Sequence, residues 1–260
     1  MASTAAGGAA LSLAQLRRYE QLTLSTAPAL VEATIDGWRV RASGTDTRRS
    51  NSATCLDACA VPLENTISAI EQWFDAQRQE TVFRMTAALS APGMDDMLAA
   101  RGYQRRLETI LMTRALTNAD VQPPDSTALA VISLETGLAW LHALTQLDVA
   151  KAAAELRRQQ RWQGGQCCLG WRVDGELAAI GLGRIEDGYL GVFSMQTGLP
   201  FRGRGYAGRI LKALCRWGAG RGAQVAFLQV DAGNTAAQAL YQKAGFVPAY
   251  SYWHRIRTIR

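Results

Sequence analysis

The clearest candidate for chemistry is a short glycine- and arginine-rich segment at residues 202–209, with the sequence RGRGYAGR. It follows a predicted strand at residues 189–197 and opens a predicted helix at residues 206–220. The first N–H groups of a helix lack backbone partners, and the helix dipole adds partial positive charge there. A loop that enters a helix in this way is therefore a ready anion site.

The residue types in this segment suit phosphate oxygens. Gly203 and Gly205 have no Cβ, so backbone amides can approach an anion closely. Arginine side chains add positive charge and bidentate donors. Three of them lie in the segment: Arg202, Arg204 and Arg209. The arrangement predicts a diphosphate ligand, and the alternative is a flexible surface turn.

Other glycine-rich motifs fit less well. No Gly-Lys-Ser/Thr follows, which excludes a Walker loop. Gly203, Gly205 and Gly208 meet the Gly-x-Gly-x-x-Gly spacing, but the strands before them read as hairpins and not as the first unit of a parallel dinucleotide-binding fold. An RNA-binding Arg-Gly tract would be longer and would lie in a disordered segment.

A second pattern lies downstream, where Asn234 is followed by Leu-Tyr-x-x-x-Gly-Phe at residues 240–246. Together with Arg202, Gly205 and Ala207, it resembles the paired signatures of the GNAT superfamily of acyl-CoA-dependent N-acetyltransferases. Two motifs in this order, between these elements, are far more specific than either motif alone. The resemblance therefore implies acetyl transfer to a primary amine, with a catalytically quiet acyl-CoA sensor as the alternative.

The resemblance covers residues 126–260 and implies how acetyl-CoA is bound as cosubstrate. The loop amides would bind the pyrophosphate, the strand before them would pair with the pantetheine arm, and Asn234 would contact the coenzyme. The implied binding residues are Met195, Gln196, Thr197, Arg202, Gly203, Arg204, Gly205, Tyr206, Ala207, Gly208, Arg209, Asn234 and Tyr241.

The resemblance also gives Tyr241 a role as general acid that protonates the departing thiolate. A tyrosine that only packs under the sheet is the alternative. The general base is unassigned, because many family members carry a Glu on the strand that here spans residues 191–197 and contains no acid. Glu186 and Asp187 lie on the preceding turn, so a water relay or a residue from the front half could serve instead.

Three polar residues of the front half, Arg48, Arg49 and Asn51, could face the acceptor site or lie in a solvated loop. Trp162 and Trp171 read as core residues. The sequence does not identify the amine acceptor.

The chain contains a degenerate internal repeat with an offset of 143 residues. Residues 81–103 fall without a gap on residues 224–246, and both read strand, loop, short helix and Gly-aromatic. At the same offset, residues 52–54 fall on residues 195–197. Two tandem copies of one unit are therefore predicted.

The front copy lacks the polar groups of interest. Cys-Ala-Val-Pro at residues 59–62 replaces the Gly/Arg loop, Ala91 stands at the position of Asn234, and Leu98 stands at that of Tyr241. The catalytic unit is therefore the back copy.

The fold class is α+β (mixed α/β), with two tandem GNAT-like domains. Each domain would be a mixed, mostly antiparallel twisted sheet flanked by helices. The predicted boundaries are residues 1–118 for the degenerate domain, 119–127 for a linker and 128–260 for the catalytic domain. The remaining helices are predicted at residues 11–30, 63–79, 94–101, 137–149, 152–162 and 235–244. The remaining strands are predicted at residues 38–42, 52–56, 81–87, 105–114, 128–134, 166–173, 177–185, 224–230 and 250–257.

Charge is distributed unevenly along the 260 residues, whose formal net charge is +6. Residues 1–120 hold 12 Arg and 13 acidic residues, whereas residues 121–260 hold 16 basic and 9 acidic residues. A uniformly basic nucleic-acid binder is disfavoured, and the expected polyanion is the coenzyme itself. With 48% hydrophobic residues, the chain is not disordered.

The cysteines and the chain start suggest a cytoplasmic protein. Five Cys, none in a Cys-x-x-Cys pair, read as reduced thiols. Cys55 and Cys59 could supply half a zinc site, but His142 and His254 lack ligand spacing, so no metal is expected. Residues 1–10 lack the features of a signal peptide and no stretch is long enough to span a membrane, so no membrane partner is expected. A homodimer is possible.

Overall fold

The computed structural model describes residues 11–45, 47–57, 59–121 and 128–257. Their strands form one continuous sheet with the order β1-β2-β3-β4-β11-β5-β10-β9-β8-β7-β6. The strands are β1 (Val31–Ile35), β2 (Trp38–Ala42), β3 (Ala53–Cys55), β4 (Val82–Met85), β5 (Gln104–Ala115), β6 (Leu129–Ile132), β7 (Gly165–Val173), β8 (Glu176–Glu186), β9 (Tyr189–Thr197), β10 (Val225–Asp231) and β11 (Val247–Ile256). All pairs are antiparallel except β3–β4 and β9–β10.

Helices cover both faces of this sheet. They are α1 (Leu13–Ser25), α2 (Leu63–Ala76), α3 (Met94–Ala100), α4 (Leu134–Thr145), α5 (Val149–Gln160), α6 (Tyr206–Ala219) and α7 (Thr235–Lys243). The mixed, mostly antiparallel sheet with flanking helices confirms the predicted fold class.

Local sequence explains several boundaries. Ser12 caps α1 in a reciprocal box with Gln15. Each of the hairpins β1–β2, β7–β8 and β8–β9 turns on an Asp-Gly pair in which both residues have positive φ, as tight hairpins require. Strand β1, which precedes the first of these turns, is absent from the predicted elements, although Val31, Ala33 and Ile35 alternate with polar residues.

The two halves of the chain exchange their last strands. β11, the last strand of the back half, lies between β4 and β5 of the front half. β5, the last strand of the front half, lies between β11 and β10. The sheet is therefore continuous across the predicted domain boundary.

The 143-residue offset recurs in the structure. It carries the start of α2 onto that of α6, the start of β4 onto that of β10, and the start of β5 onto that of β11. The β5–β11 register is also symmetric, since Gln104 pairs with Ile256 and Thr113 pairs with Val247. This pseudo-twofold relation supports the predicted tandem repeat. The described residues do not include 122–127, so most of the predicted linker lies outside them.

One part of the sequence alignment is wrong. The offset makes Phe83 equivalent to Ala226, and these residues pair with Ala53 and Leu190 respectively. Ala53 therefore corresponds to Leu190, and residues 52–54 do not correspond to residues 195–197.

The difference is a deletion in the front copy. Ten positions separate Ala53 from the start of α2 at Leu63, whereas sixteen separate Leu190 from the start of α6 at Tyr206. The front copy thus lacks six residues just before the helix. The back copy uses these residues for the end of β9 and the loop that follows.

Separate hydrophobic clusters fill the two halves. The front cluster packs α2 and α3 on β2–β4 and includes Trp38, Phe74 and Phe83. The back cluster packs α6 and α7 on the sheet. On the opposite face, Leu22 of α1 packs in a third cluster with Phe193 and Phe227, so a front-half helix covers back-half strands.

The described residues contain no helix long and apolar enough to cross a membrane. The five cysteines are free thiols, and burial raises the pKa of Cys55 and Cys168 to about 12.

Candidate functional site

Strands β9 and β10 part before they end. Their parallel pairing begins at Tyr189 and stops at Val192 opposite Leu228, yet β9 continues to Thr197 and β10 to Asp231. A wedge-shaped gap, with unpaired backbone on its β9 side, therefore opens in the sheet.

A bulge coincides with the parting of the strands. The β8–β9 register shifts between Ile180 and Leu182, and Ser194 on the opposite strand has a φ of 51°. A bulge bends its strand and increases the local twist. Beyond it lie Met195, Gln196 and Thr197, which line the gap; their predicted role in coenzyme binding stays a prediction.

The Gly/Arg loop follows the end of β9 and leads into α6. Gly203 and Gly205 have φ of 77° and 79°, conformations that favour glycine, and a Cβ on either would meet no atom within 4 Å. Within the described residues, no backbone N–H at positions 203–208 donates a hydrogen bond. This run of unpaired amides at the start of a 14-residue helix is chemically suited to an anion, and coenzyme binding there stays a prediction.

Side chains around the loop are fixed by stacking and by one hydrogen bond. The ring of Trp171 stacks on Tyr206 at a centroid distance of 5.5 Å, and the Arg209 guanidinium lies 5.0 Å from the Trp171 centroid. Arg202 donates from Nε to the carbonyl of Thr197 at 3.3 Å. Arg204 completes the loop, and Ala207 and Gly208 lie in the first turn of α6.

Asn234 immediately precedes α7, and Tyr241 lies on this helix within the back cluster. Asn234 caps this helix, with Oδ1 accepting from the N–H of Ala237 at 3.0 Å. The Tyr241 side chain is 8% exposed and packs near Phe246. Burial raises the pKa of Tyr241, and the positive charge of Arg49 partly opposes this effect. A phenol with a raised pKa stays protonated at neutral pH, as a general acid must.

A cleft of about 170 Å³ opens at the gap, against the start of its splayed β9 edge. We call it the β9 cleft. It combines both halves of the chain, and its lining consists of Thr26, Ala27, Thr47, Arg49, Leu141, Glu155, Arg158, Gln159, Arg184, Phe193 and Ser194.

Arg49 joins the front half to this site. Its Nη2 lies 3.4 Å from the carbonyl oxygen of Gln229, one residue beyond the last β9–β10 pair. Arg41 donates to the Arg49 carbonyl at 3.0 Å and so holds the backbone in place. Arg49 therefore lines the β9 cleft, and its role at an acceptor site stays a prediction.

Arg48 and Asn51, which were considered together with Arg49, make other contacts. Arg48 pairs with Glu80 at 2.7 Å. Asn51 is buried and hydrogen-bonds to Ser43, Thr45 and Thr47 within its own loop.

Glu155 is the one carboxylate among the described residues that line the β9 cleft. Arg158 holds it with two hydrogen bonds, at 2.5 Å to Oε1 and 3.0 Å to Oε2. Burial raises the pKa of Glu155, but the Arg158 guanidinium outweighs burial and holds this pKa below its usual value. A carboxylate so paired is a weak base. Glu186 accepts a hydrogen bond from Ser25 and Asp187 pairs with Arg18, both at the far end of β9.

Arg184 also lines the β9 cleft, although it is not among the site residues predicted from the sequence. It lies on β8 within an apolar run and lines the β9 cleft while only 1% exposed. The available signal was an arginine among Leu182, Gly183 and Ile185, in a largely apolar segment predicted as a strand. Burial lowers the pKa of this guanidinium to about 9, and Arg158 adds to the effect.

The described residues contain no group of three or more His, Cys, Asp and Glu side chains that could hold a metal ion. Cys55 and Cys59 lie in the front half, away from the gap.

Residues 13–259 match the family described as "Probable histone acetyltransferase Rv0428c C-terminal". The chain belongs to this acetyltransferase family of the GNAT superfamily. It is 27% identical over 247 residues to the "Uncharacterized N-acetyltransferase YobR" of Bacillus subtilis (strain 168), covering 93% of this chain and 98% of that protein. It is 28% identical over 236 residues to the "Probable histone acetyltransferase Rv0428c" of Mycobacterium tuberculosis (strain ATCC 25618 / H37Rv), covering 90% of this chain and 71% of that protein.

Solved GNAT structures share the fold. A GCN5-related N-acetyltransferase from Kribbella flavida superposes with a TM-score of 0.69 and 16% identity, covering 95% of this chain and 96% of that one. A tandem GNAT protein from the clavulanic acid biosynthesis pathway superposes with a TM-score of 0.56 and 13% identity, covering 86% and 79%. These likenesses show that the fold is shared.

Proposed function

We propose that this GNAT protein is an acetyl-CoA-dependent N-acetyltransferase that acetylates a primary amine by direct attack in a ternary complex. The observation that carries the proposal is the wedge-shaped gap between β9 and β10. It has unpaired loop amides at one end, Tyr241 beside it and the β9 cleft opening onto it. One ligand can reach the gap from the loop and a second from the cleft.

The residues present fit acetyl-CoA. The pyrophosphate would bind to the amides at positions 203–208, supported by Arg202, Arg204 and Arg209, because unpaired N–H groups at a helix start favour phosphate. The pantetheine arm would lie along the free edge of Met195, Gln196 and Thr197. The Asn234 side chain retains its NH₂ donors, because only Oδ1 is used in the cap.

The coenzyme thioester supplies an activated acetyl group, and the chain supplies positioning and protons. Backbone N–H groups on the splayed part of β9 can stabilise negative charge on the carbonyl oxygen. The Tyr241 hydroxyl can protonate the thiolate leaving group. No cleft carboxylate is suited to deprotonate the amine, so we assign that proton to water in the cleft.

The front copy is proposed to have no coenzyme site. It lacks the Gly/Arg loop and also the six residues that form the end of β9. Its role in catalysis would be to complete the β9 cleft, through Arg49 and the segment after α1.

The experiment is an acetyl-CoA turnover screen across amine classes, with release of free coenzyme thiol as the readout and calorimetry for coenzyme binding. We expect binding and amine-dependent thiol release. Binding without turnover across the whole panel would support the alternative, a non-catalytic acyl-CoA sensor. Absence of coenzyme binding would overturn both functions.

A further inference from the structure

Within the part of the chain that the structure describes, no acidic side chain forms an ion pair with the buried guanidinium of Arg184. Its Nη1 donates to the carbonyl of Thr26 at 2.7 Å and its Nη2 to that of Gln159 at 3.0 Å. Its Nε has no hydrogen-bond partner, although the side chain is 1% exposed. Trp162 lies 5.3 Å from the guanidinium carbon. Buried charges in proteins are normally paired, because desolvation is costly.

A second unmatched guanidinium lies in the same cleft. Among the residues that the structure describes, the Arg49 side chain has one hydrogen-bond partner, the Gln229 carbonyl oxygen at 3.4 Å. Arg158, the third arginine of the cleft, is neutralised by Glu155. The β9 cleft therefore presents an excess of two positive charges, and nothing among its described lining residues balances them.

The size and walls of the cleft limit its occupant. A volume of about 170 Å³ admits a small molecule. Phe193 and Leu141 provide apolar surface beside the charged groups. Such a space suits a small molecule with a short apolar body and an anionic end.

We propose that the acceptor is a small amine that also carries an oxyanion group, bound by Arg49 and Arg184 in the β9 cleft. This inference rests on the proposed function, because it names the class of acceptor. A carboxylate or phosphate suits the planar donors of arginine, which bind such groups in a bidentate manner. Binding would pair the buried charge of Arg184 and leave the amino group directed to Ser194 and the gap.

The same charge excess disfavours a lysine-rich protein tail. A cationic peptide would bring further positive charge to Arg49 and Arg184, and like charges placed together oppose binding. The acceptor class predicted from the cleft thus differs from the histone that the name of the mycobacterial relative gives.

The test compares matched acceptors, assayed with the whole 260-residue chain. α-, β- and γ-amino acids are assayed beside their carboxamides, with aminoalkyl phosphates and a lysine-rich peptide as further arms. We expect kcat/KM to be at least about tenfold higher for one of the anionic amines than for its neutral counterpart, as a charge-assisted pair implies. The arm that gives this preference distinguishes carboxylate from phosphate.

Substitutions of the cleft arginines then test whether the preference for anionic amines arises in the β9 cleft. Arg49→Gln is expected to raise KM for the preferred anionic amine about 10- to 100-fold while KM for its neutral counterpart and coenzyme affinity stay within about twofold. Arg184→Lys keeps the charge but loses the planar donors, and it should raise the same KM. Arg78→Gln removes one charge from an exposed position outside the cleft and is the matched control.

Three results would overturn the inference while leaving acetyl transfer intact: neutral amines equal or exceed the anionic ones, the lysine-rich peptide is the best acceptor, or Arg49→Gln raises KM equally for both members of a pair. If no amine is acetylated, the proposed function fails separately. Calorimetry with the same amino acids and aminoalkyl phosphates then decides the inference, because no binding that depends on Arg49 would refute it.

Discussion

Glu20 and Arg84 form a buried ion pair that ties α1 to β4, with Nε and Oε2 2.8 Å apart. Glu20 also accepts hydrogen bonds from Thr86 at 2.9 Å and Tyr250 at 3.0 Å. The Arg84 guanidinium lies 3.4 Å from the ring centroid of Tyr252. Since α1, β4 and β11 come from different parts of the chain, this network fixes the front helix over the exchanged strands.

Removing one member of this pair should destabilise the protein strongly. Glu20→Gln leaves the Arg84 charge buried without a counter-ion, and we expect the free energy of unfolding to fall by about 3–5 kcal/mol. Urea denaturation measures this. The matched control is Glu108→Gln, in an exposed pair with Arg105, where a loss under about 1 kcal/mol is expected. Equal losses for the two variants would contradict the structural role of Glu20.

A methyl group at Gly205 should weaken coenzyme binding. Gly205→Ala meets no protein atom within 4 Å, so its cost to folding is the backbone strain of a φ of 79°, about 1–2 kcal/mol. The added Cβ lies where a phosphate would approach, and we expect acetyl-CoA affinity to fall at least about tenfold. Gly205→Val, which is larger, should weaken binding further.

The chain supplies a control with the same strain. Gly222 follows α6, has a φ of 83° and also has no atom within 4 Å of a built Cβ. Gly222→Ala should lose similar stability and keep full coenzyme affinity, both measured by thermal unfolding and calorimetry. If both variants bind acetyl-CoA like the parent protein, the loop is not the coenzyme site.

Replacing Tyr241 should separate chemistry from binding. Tyr241→Phe keeps the buried ring and removes the acidic proton, so we expect kcat to fall about 10²- to 10⁴-fold with coenzyme affinity little changed. Steady-state kinetics and calorimetry measure the two effects. Tyr103→Phe, which removes a phenol bonded to Glu71 in the front half, should leave kcat unchanged. Undiminished kcat in Tyr241→Phe would remove this residue from the acid role.

His254 should make stability depend on acid pH. Burial, together with the nearby positive charge of Arg84, lowers the pKa of His254 to about 3. Between pH 6.5 and 3 the unfolded chain binds a proton that the folded chain does not, so stability falls as pH falls, by about 1.4 kcal/mol per pH unit. Above pH 6.5 both states are neutral and this contribution is constant.

Denaturation at several pH values tests the assignment. His254→Phe should flatten the profile between pH 6.5 and 3 by about that slope. Parallel profiles for the parent and His254→Phe would show that His254 is not the responsible group.

The helices and strands of the back half could be predicted from the sequence, because the residues that specify each element lie within that element. Strand β9 has the predicted limits of residues 189–197, and α6 begins at the predicted residue, Tyr206. Motif spacing likewise predicted a loop with unpaired amides. The glycines and the helix start lie within a few positions of one another, so no long-range contact is needed.

Relations between distant segments were not predictable in the same way. Arg49 and Gln229 are 180 positions apart, and nothing local in either signals their contact. The six-residue deletion was missed because low identity allows a gap-free alignment to slip between β3 and α2. The exchange of β5 and β11 does not change the order of apolar and polar residues along either strand. It is therefore visible only in which strands pair with each other in the structure.

The exchanged strands have a consequence for how this chain could have specialised. Two subunits of a strand-exchanged homodimer, joined end to end, would have the same connectivity and the same pseudo-twofold centre between β5 and β11. In such an assembly both sites would be identical. Within one chain, the front copy can lose its own Gly/Arg loop while its Arg49 contributes to the site of the back copy. Neither half is then replaceable by the other, and fragments 1–121 and 128–257 would complement each other in trans only as an obligate pair.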